Sequence, residues 1–360
     1  MRFIPVNCLR PGMLCGQAII GRKGEVLLKQ GVPLQDAYIR RLRHYGFHGI
    51  YIADALSDDI EVADVIASTL RARSVNVIKE LFTDAKRTKG DPNQKIDLLN
   101  GLVDTMLDQI VSASDIQVNM LDLKIFDDYT YYHSVNVCVL SLIIGAAMGL
   151  DRTELHVLGI AAILHDIGKV FVDKEILNKP GRLTDDEFAV IKEHPGNGYK
   201  YLLNCFQVPD EALTAIIDHH ERIDGTGYPN HKAEGGITRY GQIIAISDVF
   251  DALTSDRPYR KALPTAEAIE YIMGSTGTAF SSDLVKVFLQ KIVPYPPGIT
   301  VCLSDGSHGI VVRNNPQACL RPVVRIFKVA GCLLASTRLV DLLNDRSTLG
   351  LTIVGTVEAD

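Results

Sequence analysis

Six of the chain's ten histidines fall between residues 133 and 220, in a stretch whose apolar residues recur three and four apart. A single histidine on an apolar helical face is more often a hydrogen-bonded structural residue than a ligand. Here five of them (His133, His165, His194, His219 and His220) come with chemical neighbours: Asp166 follows His165, and His219 and His220 are adjacent. Asp248 lies within the apolar helical run Gln242-Ile-Ile-Ala-Ile-Ser-Asp248. A carboxylate in such a place is expensive unless it is paired or bound to metal. A helical fold that buries this set must gather it around one polar centre.

Either side of that stretch the pattern differs. At 360 residues the chain is long enough for two or three domains and a large core. Residues 1–56 carry short apolar stretches separated by Gly and Pro (Gln17–Ile20, Glu25–Leu28), a helical Ala37–His44 and a strand-like Gly49–Ile52, which read as a small α+β lobe. Residues 57–114 show long amphipathic runs, such as Leu98, Leu102, Met106 and Ile110, broken by Lys89-Gly-Asp-Pro92; this predicts a helical connector. Residues 115–293 continue helical. From 294 to 360 the β-branched segments Ile299–Leu303, Gly309–Val312 and Pro322–Phe327 predict a terminal β module. The expected fold is therefore mainly α, an all-helical core flanked by two smaller parts.

Composition narrows the function classes. Hydrophobic residues at 47% and charged residues at 22% argue against disorder. Thirty-seven Lys and Arg against 43 Asp and Glu give a net charge of −6, so no global positive field draws in duplex nucleic acid. A small anion remains open wherever basic residues gather. The seven cysteines are scattered and never spaced as CxxC, which fits free thiols in a reducing cytosol. The first residues lack a signal-peptide core, and the longest apolar run, Val139–Leu150, is too short to cross a bilayer. A cytoplasmic protein without a membrane span is expected.

The chemistry follows from residue types and spacing. Side chains of His165 and Asp166 project about 100° apart on a helix, so both reach one centre only at the helix edge, where Asp166 could bridge two cations. The capping box Thr184 to Glu187 starts a helix that should end near His194, before Pro195. A second helix, capped by Asp210, runs into His219-His220-Glu221 and the glycine-containing turn Asp224-Gly-Thr-Gly-Tyr-Pro229. Grouped by chemistry, His133, His165, Asp166 and Asp248 would surround one metal, with Asp166 shared and His194, His219 and His220 around a second. Neutral imidazole suits Fe, Zn, Mn or Ni. Two adjacent cations suit phosphodiester hydrolysis, because they activate a bridging water and stabilise attacking and leaving oxygens. Lys169 and the basic run Arg257-Pro-Tyr-Arg-Lys261 would offset phosphate charge.

The motifs His165-Asp166-Ile-Gly-Lys169, His219-His220-Glu221, Asp224-Gly-Thr-Gly-Tyr-Pro229 and Ser247-Asp-Val-Phe-Asp-Ala-Leu-Thr-Ser-Asp-Arg-Pro-Tyr-Arg260, with Tyr131-Tyr-His-Ser-Val-Asn136 before them, resemble the HD-GYP family of bacterial cyclic di-GMP phosphodiesterases. The match extends over about residues 120–292. The resemblance implies an HD-type metallohydrolase core and hydrolysis of cyclic di-GMP to pGpG and GMP. It implies two divalent ions, Fe or Mn, on His133, His165, Asp166, His194, His219, His220 and Asp248. It also implies catalytic roles for Asp166 and Lys169, and substrate contacts for Lys169, Arg257, Arg260 and Tyr228. The Gly227-Tyr228-Pro229 loop would shape the pocket rim or meet a signalling partner. Tyr129 stands where some members carry a glutamate for a third metal, which favours a binuclear site; Ile223 replaces a frequent aromatic.

Residues 1–55 resemble a module that often precedes HD-GYP domains. The amphipathic connector predicts a homodimer. His156, on the polar side of its helix, is expected at solvent or an interface. The rival readings are hydrolysis of cyclic GMP-AMP, and a receptor that binds nucleotide without consuming it.

Overall fold

Local capping and apolar spacing account for most of the elements. The computed structural model describes residues 1–357 other than 22, 63, 86–91, 113–117, 120–128, 206 and 257–260. Two compact units result, one of residues 1–69, 117–127 and 292–360, the other of residues 70–116 and 128–291.

In the first unit β1 (Arg2–Pro5), β2 (Leu14–Cys15), β3 (Ile19–Ile20), β4 (Val26–Leu28), α1 (Asp36–His44) and β5 (Gly49–Ala53) form the N-terminal part. β5 lies between β1 and β2, both antiparallel to it. Ile4, Leu34, Leu42 and Ile52 are buried at its core. β6 (Val118–Asn119) pairs in parallel with β7 (Ile292–Val293). The C-terminal part is a five-stranded antiparallel sheet of β8 (Thr300–Leu303), β9 (His308–Arg313), β10 (Val323–Val329), β11 (Cys332–Asp341) and β12 (Ile353–Thr356), in the order β11-β10-β9-β8-β12. The sequence divides these two parts; the structure joins them. Phe3 donates its backbone N–H to the Gly298 carbonyl at 2.9 Å, and Arg325 binds Asp59 through two contacts of 2.6 and 2.5 Å.

The second unit holds α2 (Ser68–Ala85), α3 (Pro92–Ser112), α4 (Tyr129–Ala147), α5 (Arg152–Leu164), α6 (Lys174–Leu177), α7 (Asp185–Lys192), α8 (His194–Cys205), α9 (Asp210–Asp218), α10 (Arg239–Thr254), α11 (Thr265–Gly274) and α12 (Ser282–Lys291). Within the stretch expected to be a helical connector, α3 packs on α4 and α5. An amphipathic pattern says that a face is buried, not what buries it. Capping boxes open α5 (Asp151 with Glu154) and α7 (Thr184 with Glu187). His156, expected at solvent or an interface, instead faces α3, its ring nitrogens 3.0 Å from Asp104 and 3.3 Å from Asn100.

α4 is apolar around its circumference and lies between α5 and α10, as a core helix must. By length and composition its segment Thr130–Ala147 could cross a membrane, and 78% of it is buried in the fold.

Candidate metal centre

Five helical segments deliver the seven polar side chains to one place. His133 comes from the first turns of α4, His165 caps the C-terminus of α5, and Asp166 precedes the 3₁₀ turn Ile167–Phe171. His194 opens α8: Pro195 begins a helix here rather than merely ending α7, since its missing N–H costs nothing in a first turn. His219 caps the C-terminus of α9, His220 follows it, and Asp248 sits in mid-α10. The first turn of α9 begins at Asp210, but Pro209 occupies the cap and no side chain closes it.

Asp166 is the centre of the arrangement. Its Oδ2 lies 3.4 Å from His165 Nε2 and 3.5 Å from His133 Nε2, while Oδ1 faces His194 Nε2 at 3.3 Å. His133 Nε2 is also 3.1 Å from Asp248 Oδ1, and His220 Nδ1 is 3.8 Å from Asp248 Oδ2. The two oxygens of one carboxylate therefore face two histidine groups. Donor atoms converge in three overlapping sets: His194, His219 and His220; His133, His165 and Asp166; His165, His219 and Asp248.

The tautomers show what this cluster is fit to hold. His165, His194 and His219 each place Nδ1 2.6–2.7 Å from the carbonyl three residues earlier, on Ala162, Ile191 and Ile216. A carbonyl only accepts, so Nδ1 carries the proton, and in the neutral ring Nε2 carries a bare lone pair. His194 Nε2 and His219 Nε2 are 3.3 Å apart. Two lone pairs facing each other repel unless a cation lies between them. Nitrogens bound at about 2.1 Å to one ion stand roughly 3 Å apart, which matches. His165 Nε2 and Asp166 Oδ1 are moreover buried without a hydrogen-bond partner among the described residues, at about 1–3 kcal/mol each if nothing were to satisfy them. The donor set fits divalent first-row metals.

Electrostatics keep His219 and His220 neutral and both carboxylates ionised, and set His133 apart. Burial holds His219 well below the usual imidazole range, helped by His220, His165 and His194, and pushes His220 down to about 3. Burial alone would raise the Asp166 and Asp248 carboxyls, but Lys169 and His165 hold the first, and His133 and His220 the second, well below their ordinary range. Burial also opposes charge on His133, yet Asp248 and Asp251 outweigh it and lift its pKa to about 9.

Behind these groups lies a shell that the sequence reading did not single out. His133 Nδ1 is 2.7 Å from Asp251 Oδ2; Asn136 Nδ2 donates to Asp251 Oδ1 at 2.9 Å, and Arg71 donates to Asn136 Oδ1 at 3.0 Å. All four are buried. Spacing could have found two of them, since Asn136 and Asp251 each lie three residues beyond a candidate ligand, on its helix face. Gly168 lets the 3₁₀ turn approach α8, because a Cβ there would overlap the His194 carbonyl. Glu221 accepts the backbone N–H groups of Asn230 (2.6 Å) and Lys232 (3.0 Å), which pins the loop after it. Tyr228 stacks on His220 at 4.7 Å. Lys169 Nζ is 2.6 Å from Asp166 Oδ2. Arg257, Arg260 and the side chain of Tyr129 lie outside the described residues.

Residues 116–284 match the HD domain family. Cyclic di-GMP phosphodiesterase PA4108 of Pseudomonas aeruginosa is 37% identical over 275 residues, 76% of this chain and 64% of that protein. Over residues 116–284, just under half of its length, this chain carries an HD domain. A cyclic di-GMP phosphodiesterase of Thermotoga maritima is 39% identical over 175 residues, 48% of this chain and 47% of the relative. The 3′3′-cGAMP-specific phosphodiesterase 1 of Vibrio cholerae is 34% identical over 163 residues, 45% of this chain and 37% of the relative. The chain thus spans less than two thirds of the length of each of these relatives. HD-domain phosphohydrolases bind divalent metals, and the histidine and aspartate cluster lies inside the matched segment.

Proposed function

We propose that this chain is a metal-dependent phosphodiesterase that hydrolyses cyclic di-GMP to pGpG and GMP. The observation that carries the reading is the pair of bare Nε2 atoms on His194 and His219, 3.3 Å apart beside an ionised carboxylate whose two oxygens face two histidine groups. The names of the P. aeruginosa and T. maritima relatives support the substrate.

In this reading His133, His165, Asp166, His194, His219, His220 and Asp248 hold two divalent ions, Fe or Mn, with Asp166 shared. Bound there, the ions supply Lewis-acid charge for phosphodiester hydrolysis. The backbone carbonyls of Ala162, Ile191 and Ile216 fix three imidazoles in the ligating tautomer before any ion arrives. Lys169, anchored on Asp166, presents an ammonium to the non-bridging oxygens of the scissile phosphate. Arg257 and Arg260 add charge to the same phosphate, and Tyr228, on His220, walls the substrate in. Action in the cytoplasm as a homodimer, with the Gly227-Tyr228-Pro229 loop open to a signalling partner, belongs to the same reading.

The test is chromatography of pGpG and GMP after anaerobic purification and addition of cyclic di-GMP with Fe(II) or Mn(II), against a chelated control. Metal-dependent product supports the enzyme; bound but unconsumed nucleotide points to a receptor. Cyclic GMP-AMP belongs in the same assay, because the V. cholerae relative is named for it. Lys169→Ala should lower the rate while metal content stays at the wild-type level.

A further inference from the structure

Beside the cluster, the helical unit contains a cavity of about 270 Å³ with His219 and His220 in its wall. Phe188, Lys192, Tyr228 and Tyr271 also line it. Phe188 and Tyr271 are 43% and 50% exposed, whereas Phe250, Phe280 and Phe288 are buried. Flat apolar faces left open at a cavity mouth suit a planar ring. The rim also carries a cation. Lys192 Nζ stands 4.7 Å from the ring centroid of Phe188 and 5.6 Å from that of Tyr228, and among the described residues it pairs with no carboxylate.

Two aromatic faces therefore position the ammonium while its N–H donors stay available. The other basic group in the wall, Arg222, is engaged by Thr226 at 3.0 Å and Asp224 at 3.4 Å. Glu221, the acidic group there, is turned onto the loop backbone.

We infer that this cavity takes one purine of the cyclic dinucleotide, with Lys192 as a specificity-determining residue that selects guanine. Guanine offers two adjacent acceptors, N7 and O6, where adenine puts an amino donor in place of the oxygen. An ammonium only donates, so it attracts the first edge and opposes the second. Phe188 and Tyr271 accept either ring by stacking, and Lys192 decides between them. The inference rests on the phosphodiesterase reading and names its base selectivity.

The experiment uses the full chain loaded with Mn(II). It compares KM for cyclic di-GMP with the inhibition constant of cyclic di-AMP, the all-adenine analogue, in wild type, Lys192→Met, Lys192→Arg and Phe188→Ala. Lys192→Met should raise KM for cyclic di-GMP about tenfold or more and shift cyclic di-AMP far less. Lys192→Arg should retain the preference, and Phe188→Ala should weaken both nucleotides alike. Metal content should not change in any variant, since none of these side chains is a donor. Equal shifts for the two nucleotides in Lys192→Met, or no shift, overturn the subsite while leaving the enzyme intact. A metal-loaded wild type that does not turn over cyclic di-GMP overturns the phosphodiesterase reading and the subsite with it.

Discussion

The two sides of Asp166 are built differently. On one side His194 and His219 hang from backbone carbonyls at helix ends, and burial above all keeps His219 and His220 neutral. On the other, His133 is held by a carboxylate, Asp251, through a chain of buried side chains reaching Asn136 and Arg71. A carbonyl moves only with its helix, whereas a side-chain network can be dismantled one residue at a time. The backbone-anchored half should thus tolerate substitutions around it that the carboxylate-anchored half does not. The charge states differ as well: Asp248 and Asp251 outweigh burial and lift His133 to about 9, whereas burial pushes His220 down to about 3.

The largest effect should come from the residue common to both halves. Asp166→Ala removes the carboxylate that faces His133 and His165 on one oxygen and His194 on the other, so turnover should fall by at least about 10³-fold and bound metal should drop on both sides. A near-normal rate in that variant would sink the shared-carboxylate mechanism. Asp251→Asn separates the halves. It leaves every donor in place but loosens His133, and should weaken one ion by roughly 10–100-fold while the other is retained. Metal titration followed by elemental analysis reads this directly; loss of both ions together would mean that the halves are not independent. Gly168→Ala is the matching blow to the backbone-anchored side. Its Cβ would displace the His194 carbonyl, with overpacking costs of about 1–3 kcal/mol, and the ion nearest His194 should be the one affected.

How far each half was legible in the sequence follows from the same contrast. The ligating residues stand out because histidine and aspartate are costly on apolar helix faces, and the motifs place them in order. The anchors do not stand out in the same way. Ala162, Ile191 and Ile216 act through backbone carbonyls, which any residue supplies, so no side chain marks them. Asn136 and Asp251 have the right spacing, but only tertiary structure brings α4 to α10, and Arg71 looks like an ordinary charged residue of an amphipathic helix until it is found buried. The fold divides likewise. The strands β8, β9 and β10 follow β-branched runs, while β11 passed unrecognised: almost all its residues are exposed, so no alternation betrays it. That the two ends of the chain share a unit depends on pairings such as Phe3 with Gly298, for which distance along the chain gives no signal.

The smallest and most discriminating effect is on pH-dependent stability of the metal-stripped protein, where the two halves should pull in opposite directions. His133 has a folded pKa of about 9, above the ordinary value of 6.5, so the stability it contributes is fully present below pH 6.5 and is lost as the pH rises through about 9. His220 has a folded pKa of about 3, so the unfolded chain takes up its proton first and the folded state loses ground as the pH falls from 6.5 toward 3. Urea midpoints should therefore peak between these two limbs. Asp251→Asn removes one of the two carboxylates that raise His133 and leaves Asp248, so it should flatten the alkaline limb by on the order of 1 kcal/mol and leave the acid limb unchanged. If the variant changed both limbs equally, Asp251 would be supporting the fold as a whole rather than the charge of one imidazole, and the asymmetry between the two sides of Asp166 would lose its electrostatic basis.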